Sequence, residues 1–63
     1  MQNPELPRLL KRKEAARTLS ISERKLFEMT KSKEIPHLTI GRSVRYPANE
    51  LAAWIASKTN NNH

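Results

Sequence analysis

Apolar and polar positions recur with two different periods along this chain. From Lys11 to Leu19, Ala15, Ala16 and Leu19 fall on one helical face and Glu14 is a strong helix former, which predicts a first helix. A second helix is predicted from Ser22 to about Ser32, with Ser22 as its N-cap and Glu23 placed to suit the positive end of the helix dipole. Pro36 ends what precedes it. Leu38 and Ile40, then Val44 and Tyr46, alternate with polar residues and predict two strands sharing one buried face, joined by a Gly41-Arg42-Ser43 turn. Pro47 stands where a third helix can begin, and Leu51, Trp54, Ile55 and Lys58 follow at i, i+3, i+4 and i+7. The expected architecture is mainly α with a small β-hairpin, in the order helix-helix-hairpin-helix. Residues 1–8, with Pro4 and Pro7 and no periodicity, are expected to form a flexible N-terminal arm. Residues 9–57 are the expected domain and 58–63 a disordered polar tail. No linker or repeat interrupts the domain.

Only Ser20 and Ile21 separate the first two helices, so the chain must turn a sharp corner there. Ala16 is small enough to let the second helix approach. Ala15, Leu19, Ile21, Leu26 and Met29 are placed to lock the corner from inside. An ordinary helical hairpin would not require all five positions to agree, and their agreement favours a helix-turn-helix. Two positions work against stability. Ser20 stands where the turn calls for a left-handed backbone, at a cost on the order of 1 kcal/mol, and Lys33 follows the second helix where glycine is the usual choice.

Charge narrows the class of partner. The 63 residues hold 12 Lys and Arg against six acids, all glutamate, for a net charge of +6 and a pI near 10.4. Such a balance attracts polyanions. The chain has no cysteine, so neither a disulfide nor a thiolate metal site is available. No apolar run is long enough for a bilayer and no secretory leader is recognisable, which makes a cytoplasmic protein the expectation. No pair of acids, glycine-rich phosphate loop or cluster of ligands suggests catalysis, a metal or a cofactor: His37 has no evident base or ligand partner and His63 lies in the tail. An RNA reader would display aromatics for stacking, whereas Phe27, Tyr46 and Trp54 are better used in a core. A membrane-surface peptide would be one long basic helix, which Pro36, Gly41 and Pro47 preclude.

Double-stranded DNA is the expected partner, with an RNA- or protein-binding module as the lesser alternative. In a helix-turn-helix the second helix enters the major groove. Its polar face here offers Ser22, Glu23, Arg24, Lys25, Glu28 and Lys31. Arg24 and Lys25 suit guanine O6 and N7 or phosphate, while Glu28 either accepts from cytosine N4 or, as the expectation, pairs with a nearby lysine. Phe27 lies off the main core stripe; it either touches a thymine methyl or, as the expectation, packs under the hairpin. A two-stranded hairpin is marginal by itself and needs the first and third helices behind it. Its exposed side then presents Arg42, Ser43 and Arg45 as a wing, with arginine suited to a narrow minor groove. Arg45 has an alternative, an ion pair with Glu50.

The elements together resemble the small winged helix-turn-helix proteins of the excisionase family, which are related to MerR-type DNA-binding domains. The carriers are Glu14-Ala15-Ala16, Leu19, Ser22, Ile35-Pro36, Gly41-Arg42 with Arg45, and Leu51 with Trp54, in that order across residues 9 to 56. Ser20 and Lys33 replace glycines usual in that family, Lys11 replaces a Ser or Thr cap, and Glu23 and Glu28 make the second helix less basic. The resemblance implies a recombination directionality factor of a phage or mobile element. Such a protein binds and bends DNA near an attachment site to assist an integrase, without catalysing anything itself. It also implies cooperative self-assembly on DNA and, for relatives of the same fold, transcription regulation or a plasmid accessory role.

Overall fold

The computed structural model describes residues 8–59. Six elements follow one another: β1 (Leu9–Leu10), α1 (Arg12–Leu19), α2 (Glu23–Lys31), β2 (Leu38–Ile40), β3 (Ser43–Pro47) and α3 (Ala48–Thr59). Of the expected N-terminal arm, only Arg8 is among the described residues. Its carbonyl accepts a 2.7 Å hydrogen bond from the amide of Ala48, one of the amides that the start of α3 leaves without a helical partner. At the other end α3 runs through Lys58 and Thr59; residues 60–63 lie outside the described range.

Each helix boundary has a local cause. Lys11 has no side-chain acceptor to cap α1, but the Glu14 carboxylate reaches back and accepts from the Lys11 amide at 2.9 Å, half of a capping box. Ser22 caps α2 through its hydroxyl, which accepts from the Lys25 amide at 3.0 Å. Both helices end in the same way. At α1, Ser20 adopts φ 59°, its amide donates to Arg17 and the Ile21 amide donates to Ala16. At α2, Lys33 adopts φ 62°, its amide donates to Thr30 and the Glu34 amide donates to Met29. These are paired Schellman closures built on residues that bear a Cβ, as the sequence led one to expect.

The core is formed by Leu10, Ala15, Ala16, Leu26, Ile35, Tyr46 and Leu51, with Leu19, Ile21, Met29, Val44, Ala48, Trp54 and Ile55 packed around it. All six residues expected inside the α1–α2 corner are in that cluster. The stripe expected on α3 also packs inward: Leu51 is buried, Trp54 and Ile55 are half-buried, and the Trp54 indole N–H donates to the Glu34 carbonyl at 2.9 Å.

The sheet departs from expectation in two ways. It has three antiparallel strands, not two, in the order β1-β3-β2. Leu9 pairs with Pro47 and Leu10 with Tyr46, so β3 is central and the segment before α1 covers its otherwise open edge. Two residues are too few for any periodicity to reveal a strand. The hairpin register is the second departure. Ile40 pairs with Ser43, so the loop is the two residues Gly41-Arg42, with Gly41 at φ 62°. Nothing lies within 4 Å of where a Gly41 Cβ would stand, so glycine is needed there for its backbone angle alone. Shortening the expected turn by one residue moves β2 by one side-chain alternation. Leu38 then stands beside Arg45, both of them half-buried, Ile40 faces outward beside Ser43, and Thr39, itself exposed, takes the place opposite Val44. Leu38 and Ile40, expected on the buried face, therefore stand on the opposite one, and Ile40 is 57% exposed.

Three helices and a small antiparallel sheet, mainly helical, make up the arrangement of a winged helix-turn-helix fold.

Candidate nucleic-acid interface

Leu26, Met29 and Thr30 turn one side of α2 toward the interior, with Leu26 fully buried. The helical period leaves Glu23, Arg24, Lys25, Phe27, Glu28 and Lys31 exposed on the other side. The N-terminal cap, the Schellman closure and the packed corner hold this face from three directions. A fourth tie comes from the sheet, where the Tyr46 hydroxyl lies 2.7 Å from the Thr30 hydroxyl. A helix held so firmly can present its side chains to a ligand at little cost in backbone order.

Two i,i+4 pairs line the exposed face. In the first, Arg24 Nε stands 3.8 Å from Glu28 Oε2, with both side chains more than half exposed. Glu28 thus pairs with an arginine one turn earlier, not with a lysine, and at such exposure the pair contributes little to stability. In the second, Lys31 Nζ stands 5.5 Å from the centroid of the Phe27 ring. The Arg12 guanidinium, reaching across from the first turn of α1, stands 5.2 Å from the same centroid. Phe27 is 43% exposed, so it is not packed under the hairpin as expected. The corner supplies the reason: Leu26 and Met29 fill the interior stripe, and a residue one position beyond Leu26 is rotated about 100° away from it. Each exposed cation–π contact is worth about 0.5–1 kcal/mol.

On the hairpin, Arg42 is exposed at the tip and Ser43 follows it at the start of β3. Arg45 is half-buried, and its guanidinium donates to the Val44 carbonyl at 2.9 Å. Among the described residues no ion pair joins Arg45 to Glu50. The ion pairs among the described residues are Arg24–Glu28 and Arg8–Glu14.

The sequence alone did not single out Arg12. Its meeting with Phe27 depends on how α1 crosses α2, and no spacing along the chain announces that. The Phe27–Lys31 half of the cluster is an i,i+4 pair and was available from the sequence.

A family model described as a helix-turn-helix domain matches residues 9–59, nearly all of the described range. The chain belongs to the helix-turn-helix domain family. Membership supports DNA as the partner of this helix-turn-helix protein, in keeping with its net charge of +6. No characterised protein and no solved structure matches the chain significantly. No helix among the described residues is long and apolar enough to cross a membrane.

Proposed function

We propose that this helix-turn-helix protein binds duplex DNA with sequence preference and acts as an excisionase-type recombination directionality factor of a phage or mobile element. The observation that carries the reading is the capped and tethered α2, whose outward face is charged and aromatic while its inner face is locked into the core. In this reading Ser22, Glu23, Arg24, Lys25, Glu28 and Lys31 meet the major groove and adjacent phosphates, and Arg42, Ser43 and Arg45 contact the flanking minor groove or backbone. Arg45 is partly held by the Val44 carbonyl, so Arg42 is the freer of the two wing arginines. The residue pattern from Glu14-Ala15-Ala16 to Trp54 supports the excisionase assignment, which includes bending of the bound DNA, assistance to an integrase and assembly of several copies along a site. The protein acts in the cytoplasm, on the nucleoid, and catalyses nothing itself.

Selection of bound sequences from random duplexes, followed by a bending assay on the recovered sites, tests this reading. The expected result is a short preferred sequence, a bend, and affinity that falls steeply with salt, by about 0.9 in log–log slope for each phosphate contacted. An integrase reaction stimulated by the protein completes the assignment. A preferred sequence with no bend and no effect on recombination would make the protein a small transcription regulator of the same fold. A flat salt response would remove DNA as the partner.

A further inference from the structure

Phe27 is the one aromatic side chain exposed on the outward face of α2. It shares that face with Arg24, three residues earlier, and with Lys31, four residues later. Its exposure leaves apolar surface in water that the core does not use, and two cations stand over its ring at 5.2 and 5.5 Å. These cations come from different helices, Arg12 at the start of α1 and Lys31 at the end of α2. In a helix-turn-helix the first of these helices crosses the DNA backbone and the second enters the groove. Phosphates and base edges would thus lie on either side of this one ring.

The major groove presents a single strongly apolar feature, the C5-methyl group of thymine. An exposed phenyl ring carries no donor or acceptor, so it distinguishes base pairs there only through that methyl. We infer that Phe27 is a specificity-determining residue that reads a thymine methyl, while Arg12 and Lys31, held against its ring, are directed to the phosphates beside that base. This rests on the DNA-binding reading above and extends its set of contact residues to Phe27 and Arg12.

Replacing thymine by deoxyuridine removes the methyl and leaves every hydrogen-bonding group in place. Each thymine of a selected site is therefore replaced in turn, and binding is measured for the unaltered protein, Phe27→Ala and Phe27→Leu. Circular dichroism checks the fold of each variant, which the exposure of residue 27 should preserve. The unaltered protein should lose about fourfold in affinity at one thymine, the effect of one methyl no longer removed from water. Phe27→Ala should bind the thymine and deoxyuridine duplexes equally, and Phe27→Leu should retain part of the preference. The inference fails if Phe27→Ala keeps the full thymine preference, or if no thymine in the site is sensitive. It also fails if Phe27→Ala weakens both duplexes alike with the preference intact, because the ring then only positions its two cations. These three failures leave salt-dependent duplex binding in place and sink the role of Phe27 alone, whereas loss of all duplex binding by the unaltered protein sinks both readings.

Discussion

The hydroxyl groups of Tyr46 and Thr30 lie 2.7 Å apart, and this contact joins the central strand to α2. Thr30 also donates to the Leu26 carbonyl one turn earlier, at 2.8 Å. Its single hydrogen is committed there, so the Tyr46 phenol is the donor between the two residues. Tyr46 is 1% exposed, and its hydroxyl would otherwise be a buried polar group without a partner. The same side chain thus fills the core and sets the position of the helix proposed to read DNA.

Removing either side of this contact should cost stability unequally. Tyr46→Phe deletes one hydrogen bond and leaves Thr30 bonded to Leu26, for a loss of about 0.5–1.5 kcal/mol. Thr30→Val strands the buried phenol and should cost about 1–3 kcal/mol. Urea denaturation of the two single variants and the double variant measures the coupling. Equal costs that add without coupling would mean that the hydroxyls do not bond in solution.

The left-handed residues at the ends of α1 and α2 are strained for side-chain-bearing amino acids. Ser20→Gly relieves a cost of about 1–2 kcal/mol, and the freer glycine gives back about 0.5–1 kcal/mol through the unfolded chain. The net expectation is a gain of up to about 1.5 kcal/mol and a melting temperature higher by several degrees. Lys33→Gly should act in the same direction. Thermal melts that fall for both variants would contradict the observed φ of 59° and 62°.

Glu28 carries a negative charge on the face proposed to meet DNA, where it also occupies Arg24. Glu28→Gln should free Arg24, remove repulsion from phosphate and raise affinity up to about fivefold, the size of a surface charge interaction. Titrations against a selected and a scrambled duplex distinguish the alternatives. Tighter binding to both supports the ion-pair role. Weaker binding to the selected duplex alone would show that Glu28 accepts from a cytosine N4.

Arg42→Ala should weaken binding most for sites with A·T-rich flanks, whose narrow minor groove attracts arginine. The slope of log affinity against log salt should become shallower by about 0.9 if the lost contact is to phosphate. Competition between duplexes that differ only in their flanks provides the measurement. An unchanged affinity for both would remove the hairpin tip from the contact surface.

Elements that depend on neighbours in the chain could be read without coordinates. The Ser22 cap, the apolar corner from Ala15 to Met29, the strained Ser20 and Lys33, and the Leu51–Trp54–Ile55 stripe are of this kind. Their causes are steric and periodic, and act within a few residues. The face of β2 could not be read, because Leu38-Thr39-Ile40 admits either orientation until the loop length sets the register. The strand at Leu9–Leu10 was equally hidden, since its partner lies some 37 positions away in β3.

For the candidate site the division is similar. Composition and helical period determined that a basic face would lie opposite a buried one on α2, because local geometry assigns each side chain its direction. Only the tertiary structure decided that Phe27 stays in solvent with Arg12 beside it and that Tyr46 anchors the helix through Thr30. Those outcomes depend on how separate elements pack and on which residues fill the limited interior first, and chain-local spacing carries no record of either.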